Sequence, residues 1–234
     1  MTNAIVLVSG GLDSVVLAHY LKKVEKVDKL KFVFFDYGQK SLEEELYCVK
    51  KVARELDAEL KVVDVKWLGE VSTSLINKEV RDEDVKKVED DDLVSWYVPC
   101  RNALFLLIGL SFAESELISK GEKYDVYIGI KHEGELQFKD TTPEFLEQMN
   151  KTSGFCTQEG NLKFKAPFLE KDKEEVIELA KELGVDLKQT CSCYVGRGFE
   201  DGVPVHCGVC AGCKSRKKAF RFCEVEDVSV YENV

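Results

Sequence analysis

The sequence is poor in the residues that mark non-globular chains. Only 4 of its 234 residues are proline and 16 are glycine, which excludes collagen-like, mucin-like and wholly disordered readings. Positive charge is also in short supply. Lys and Arg number 33 against 43 Asp and Glu, a net charge of −10. Such a chain lacks the basic surface with which a non-specific nucleic-acid coat displaces counterions. No long apolar run is present: the longest, residues 103–113, is too short to span a bilayer and reads as a buried helix. No cationic stretch precedes the first apolar residues, so no export signal and no membrane segment are expected. Cysteine, by contrast, is plentiful, with 9 residues. In the reducing cytoplasmic setting expected of such a chain, these serve as metal ligands, catalytic groups or buried small residues rather than as bridges.

The first half alternates short β-branched runs with helical patterns. Residues 4–8, 31–35, 59–65 and 125–130 read as strands, and 14–23, 42–56 and 101–120 as helices. The first run has no polar face, as expected of a buried parallel strand. This rhythm predicts an α/β, doubly wound parallel sheet, in which ligands bind beyond the carboxyl ends of the strands where the strand order switches. Residues 1–185 are read as that domain and 186–234 as a smaller metal-binding subdomain. An acidic loop is expected over 78–97; within it, residues 82–92 hold seven acidic residues against Lys86 and Lys87. It reads as a solvated mobile loop, with a lid over the site as the sharper alternative. Beyond residue 130, helices are expected at 143–151, 171–183 and 214–222, a fifth strand at 162–168 and an acidic tail from Glu224.

Two motifs carry chemistry. Ser9-Gly10-Gly11-Leu12-Asp13-Ser14 lies between the first strand and the first helix. Paired glycines let backbone amides converge on one point, and the helix start adds free N–H groups and its positive dipole end, which together favour an anion. No Gly-Lys-Ser/Thr follows, so it is not a Walker loop. It resembles the signature of the PP-loop ATP pyrophosphatases, in which the loop holds the departing pyrophosphate. The second motif is Cys207-x2-Cys210-x2-Cys213, three thiolates in one knuckle. A fourth from Cys193 or Cys191 completes the tetrahedral sulfur site zinc prefers; an iron–sulfur cluster is the competing use of such spacing. His206 is read as a neighbour of the site rather than a ligand.

With the two motifs joined, the chain resembles the 7-cyano-7-deazaguanine synthase (QueC/ExsB-type) family of the PP-loop superfamily, from Ile5 to about Phe220. Phe35-Asp36-Tyr37-Gly38-Gln39, Val98-Pro99-Cys100-Arg101-Asn102, Asp140-x2-Pro143-Glu144-Phe145, Ala166-Pro167-Phe168 and Thr190-Cys191-Ser192-Cys193-Tyr194 carry the match beside the glycine loop, as does Arg216 three residues past the knuckle. The resemblance implies an ATP-dependent carbon–nitrogen ligase that turns 7-carboxy-7-deazaguanine and ammonia into a nitrile through an adenylated acid and an adenylated amide. It assigns Val8, Ser9, Gly10, Gly11, Leu12, Asp13, Ser14 and Asp36 to ATP, which carries Mg²⁺. Tyr37, Gln39, Arg101, Asn102 and Asp140 fall to the acceptor, with Asp13, Ser14 and Arg101 catalytic. Cys193, Cys207, Cys210 and Cys213 hold a structural Zn²⁺, leaving Cys191 spare, and a homodimer is implied. The alternative is a related PP-loop enzyme adenylating another acceptor, in tRNA thiolation or amide formation. Departures from the family pattern fall at Lys40-Ser41, Cys100, His132-Glu133-Gly134 and residues 138–142. They cluster where the acceptor is expected and spare the ATP end.

Overall fold

A computed structural model describes residues 2–79, 81–89, 92, 94–131, 138–159 and 161–232; His132-Glu133-Gly134 lies outside the described residues. Five parallel strands form the central sheet: β1 (Asn3–Leu7), β2 (Leu30–Asp36), β3 (Glu59–Asp64), β4 (Tyr124–Ile128) and β5 (Phe164–Lys165). Their order is β3-β2-β1-β4-β5, with Ile5 facing Lys31 on one side and Val126 on the other. The chain winds outward one way from β1 to β3, then returns to pair β4 with β1. That reversal opens a crevice at the carboxyl edge between β1 and β4. Eight α-helices are described: α1 (Leu12–Lys23), α2 (Leu42–Glu55), α3 (Trp67–Val71), α4 (Asp82–Lys86), α5 (Arg101–Lys120), α6 (Pro143–Cys156), α7 (Lys173–Glu182) and α8 (Ala211–Phe222). Two apolar clusters form, one on each face of the sheet. One centres on Ile5, Leu7, Val33, Leu106 and Val126, the other on Val6, Val16, Leu17, Phe32 and Ile177. Alternate residues of β1 and β2 divide between them, as a strand covered on both faces requires.

The expected α/β fold is present, and several boundaries are corrected. The fifth strand shrinks from 162–168 to two residues because side chains take over its edge. Asn150 Nδ2 donates to Phe164 O at 2.9 Å, and Phe164 N–H donates back to Asn150 Oδ1 at 2.9 Å. The acidic stretch contains α4, and Val85 on it is buried in the core beside Trp96, so an apolar anchor docks this segment. The helix at residue 101 is longer than the apolar run within it. With the preceding turn, 94–120 is long and apolar enough to cross a membrane by length and composition alone, a test that the core helix of a soluble protein also passes; the apolar run 103–113 within it is by itself too short to span. Leu106, Gly109, Leu110 and Ala113 are buried, but Leu107 and Ile118 are exposed, so only one face of the expected buried helix is covered.

The acidic tail is also structured. A small sheet orders β6 (Phe199–Glu200), β7 (Val203–His206) and β8 (Val230–Tyr231), with β8 parallel to β7. Behind it Arg216, fully buried, holds Asp227 at 3.2 Å and donates to Thr190 Oγ1 at 2.7 Å and Leu187 O at 3.2 Å. Cys191, Cys193, Cys207, Cys210 and Cys213 of the 186–234 segment belong to the same apolar cluster as Ile5 and Leu7, while Cys223 packs against the other.

Candidate active site and metal centre

A cavity of about 280 Å³ fills the crevice. β1 delivers Leu7, Val8 and Ser9 to it, the start of α1 adds Gly11, Leu12, Asp13 and Ser14, and β4 brings Gly129 to Lys131. At the glycine loop, Gly10 has φ +75°, and a Cβ there would stand 2.5 Å from the Glu45 carbonyl oxygen, so no side chain fits. Ser14 Oγ donates to Gly11 O at 3.1 Å and accepts from Ser9 N–H at 3.2 Å. Gly11, with extended backbone, precedes α1 without a side-chain cap, so the first-turn N–H groups face the cavity end. Asp13 Oδ1 is buried without a hydrogen-bond partner, while Oδ2 lies 3.9 Å from Lys173 Nζ. An orphaned carboxylate oxygen beside an anion-binding helix start suits a hard cation shared with phosphate oxygens.

The other wall is aromatic and cationic. Phe35 and Phe105 stack at 3.9 Å, Tyr37 meets Phe105 edge-on at 5.6 Å, and Arg101 lies over the Tyr37 ring at 5.8 Å. Burial pushes the Tyr37 hydroxyl up to about 12 against the pull of Arg101, so it is a neutral donor at working pH. Asn102 lines the cavity and its Nδ2 donates to Asp140 O at 3.3 Å. Burial raises the Asp140 carboxyl above its ordinary value, opposed by the Arg101 charge.

The structure thus brings Val8, Ser9, Gly11, Leu12, Asp13, Ser14, Tyr37, Arg101 and Asn102 around one space. Gly10, Asp36, Gln39 and Asp140 lie outside its lining. Gly10 supplies the turn. Asp36 is held by Lys66 at 3.1 Å. Gln39, expected on the pocket wall, is buried behind it: its Nε2 donates to Phe35 O at 3.0 Å and to Glu45 Oε2 at 2.9 Å. Asp140 touches the wall through its backbone. Lys131, Lys173 and Glu45 line the cavity and were not singled out from the sequence. Lys173 is legible only once the crossover after β5 is known to set the start of α7 at the carboxyl edge of the sheet.

Cys191, Ser192, Tyr194 and Gly212 close the cavity from the cysteine-rich segment. Behind them the sulfurs of Cys193, Cys207, Cys210 and Cys213 all lie within 4.8 Å of one another, and all four residues are buried. Cys207 and Cys213 are 3.9 Å apart, close to the roughly 3.8 Å edge of a tetrahedron with Zn–S of about 2.3 Å. Backbone N–H groups of Cys207, Tyr194 and Cys210 point at sulfurs from 3.3 to 3.4 Å, as metal-bound thiolates attract. The donor set therefore fits a closed, four-sulfur metal site. Gly212 must be glycine, since a Cβ would lie 2.1 Å from Ser192 O. Cys191 Sγ faces Cys193 O instead, and its N–H donates to Gly10 O at 2.8 Å, tying this segment to the glycine loop.

Comparison with known proteins agrees with the motifs. The family model described as "Queuosine biosynthesis protein QueC" matches residues 3–224. A 7-cyano-7-deazaguanine synthase from Methanosphaera stadtmanae is 31% identical over 98% of each chain. One from Methanocaldococcus jannaschii is 35% identical over 97% of this chain and 98% of its own. Among solved structures, the U34-tRNA thiolase NcsA from Methanococcus maripaludis with its [4Fe-4S] cluster is 15% identical at a TM-score of 0.45, covering 97% of this chain and 73% of the other. The full-length match at these identities makes the chain a member of the QueC family of queuosine biosynthesis proteins.

Proposed function

We propose that the chain is an ATP-dependent carbon–nitrogen ligase that converts 7-carboxy-7-deazaguanine and ammonia to 7-cyano-7-deazaguanine, a precursor of queuosine or archaeosine, releasing AMP and pyrophosphate. The observation that carries this reading is one cavity that has both an anion-binding end at Ser9–Ser14 and an aromatic, cationic wall at Tyr37, Phe105 and Arg101. A carboxylate is a poor acyl donor until its oxygen is converted to a leaving group, and adenylation does that. The first-turn N–H groups of α1, with Lys173, hold the expelled pyrophosphate. Asp13 Oδ1 is the group that would hold Mg²⁺, which supplies charge neutralisation at the phosphates. Arg101, against the Tyr37 ring, receives the acceptor's carboxylate, while the flat aromatic wall takes its ring. Asn102 and Asp140 on the adjoining segment suit the donor and acceptor edge of a guanine-type base. Cys193, Cys207, Cys210 and Cys213 would hold Zn²⁺, whose part is structural because the site has no open position. The work of the chain is then positioning and charge stabilisation. The homodimer implied by the family resemblance belongs to the same reading, and sedimentation tests it.

The deciding experiment incubates the protein with ATP, Mg²⁺, ammonium and 7-carboxy-7-deazaguanine. AMP formed together with nitrile supports the reading. AMP that ignores this acid but responds to another acceptor points to a PP-loop enzyme of different specificity, and no AMP under any condition overturns both.

A further inference from the structure

Glu45 is the buried carboxylate of the cavity, and the ATP-binding and acceptor assignments leave it unused. It lies in the first turn of α2, 8% exposed, with its backbone against Gly10. Both carboxylate oxygens are held by donors: Gln39 Nε2 reaches Oε2 at 2.9 Å and Ser41 Oγ reaches Oε1 at 2.7 Å. Gln39 is itself fixed, since its Oε1 accepts the Tyr37 N–H at 2.9 Å. The ionisable groups facing Glu45 are Arg101 from α5, Tyr37 from the end of β2, Cys191 from the metal-binding segment, and Glu44 and Cys48 from its own helix. Glu44 is engaged elsewhere, its Oε1 accepting from the N–H groups of Arg197 and Gly198. Burial pushes the Glu45 carboxyl up to about 7, with the donors Gln39 and Ser41 and the charge of Arg101 pulling the other way. This places its titration in the range most useful for moving protons at neutral pH.

The chemistry creates a need for such a group. A nitrile nitrogen bears no hydrogen, whereas ammonia bears three, and all must be removed at the reacting centre. We propose that Glu45 is the catalytic base that takes protons from the acceptor nitrogen, an inference that rests on the ligase reading above. In amide formation the nitrogen lone pair makes the C–N bond, the C–O bond to AMP breaks with its electron pair, and one N–H proton passes to Glu45. Adenylation of the amide oxygen releases a second proton from nitrogen. In the last step Glu45 removes the remaining N–H proton, the freed pair becomes the third C–N bond, and AMP departs with the C–O pair. Between steps Glu45 returns its proton to solvent.

The test is the pH dependence of nitrile formation in the wild type and in Glu45→Gln, Glu45→Asp and Ser41→Ala. The wild type should lose kcat on the acid side with a midpoint near pH 7. Glu45→Gln should lower kcat by about 10²–10⁴-fold, abolish the acid limb and leave the KM for ATP within about threefold. Glu45→Asp should recover part of the rate. Ser41→Ala withdraws a donor from the carboxylate, raising its pKa, so its acid limb should move to higher pH. A Glu45→Gln protein within threefold of wild type and with the same acid limb overturns the inference alone. So does an unmoved limb in Ser41→Ala, which decides the matter if Glu45→Gln does not fold. A wild-type chain that makes no nitrile overturns the ligase reading and this inference together.

Discussion

Single side chains in the cavity have consequences that stability can report as well as rate. The raised pKa of Glu45 means that the folded chain keeps a proton which the unfolded chain has released between about pH 4.5 and 7. Stability therefore falls as pH rises through that window, and the full cost, about 3 kcal/mol, applies above pH 7. Glu45→Gln removes the charge while retaining one acceptor. It should be more stable than wild type by about 1–3 kcal/mol at pH 8 and equal to it at pH 4, as read from urea midpoints. Equal stability at both pH values would show that the carboxylate is not strained by its burial. Lys173, 14% exposed and bridging Asp13 Oδ2 to Ser215 Oγ, makes a different prediction. Lys173→Gln should weaken ATP binding about 10–100-fold, the worth of a charge-assisted contact, with metal content unchanged. An unchanged Kd for ATP by calorimetry would remove Lys173 from the phosphate site.

At the scale of elements, the strand–helix alternation up to β4 was legible because β1, β2 and β4 are largely apolar and β1 and β2 are each followed by a helix-period pattern. Their boundaries fell within a residue or two. What failed to show had specific causes. The edge of β5 is completed by the Asn150 amide, a side-chain interaction that periodicity does not encode. β8 lies among acidic residues, and its anchor, the Arg216–Asp227 pair, joins positions on separate elements. That pair is buried on the Arg216 side and supports residues 187–192, the segment that leads into the cavity wall. Arg216→Met should cost about 3–5 kcal/mol, because it leaves the Asp227 carboxylate without its counter-charge and removes the donor to Thr190 Oγ1; a loss under 1 kcal/mol by urea unfolding would contradict this.

Helix α1 carries a second hidden group. His19 is 1% exposed, both ring nitrogens are without hydrogen-bond partners, and burial, helped by the Lys23 charge, lowers its pKa to about 4. The unfolded chain takes up a proton near pH 6.5 that the folded chain refuses, so stability present above pH 6.5 is lost as pH falls toward 4. Against wild type, His19→Leu should gain about 3 kcal/mol on going from pH 7 to pH 4. A pH-independent difference would mean that His19 reaches solvent when protonated.

Considered whole, the molecule joins its two sequence motifs through one wall. The glycine loop and the cysteine knuckle are more than 190 residues apart in sequence, and spacing alone gave no reason for them to touch. The structure supplies it: Cys191 N–H donates to Gly10 O, Gly11 faces the Cys191 carbonyl, and Ser192, Tyr194 and Gly212 close the cavity. The four-cysteine cluster is therefore mechanically continuous with the glycine loop. The four sulfurs are crowded enough that their mutual contacts pull the group apart, drawing the Cys193 and Cys207 thiols down and pushing Cys210 and Cys213 up. A divalent ion relieves this by accepting all four as thiolates, and its binding energy becomes folding energy. Elemental analysis should find one zinc per chain in a colourless protein; a brown protein carrying iron and acid-labile sulfide would replace zinc with a cluster. Stripping the metal with a chelator and a thiol reagent should lower the thermal midpoint by more than about 10 °C, since each kcal/mol is worth about 2–4 °C at this size. It should also weaken ATP binding, because the wall that braces Gly10 and Gly11 loosens with the knuckle. If the stripped protein melts early yet still binds ATP with unchanged affinity at a temperature where it is folded, the two motifs share only a wall and are not coupled through it.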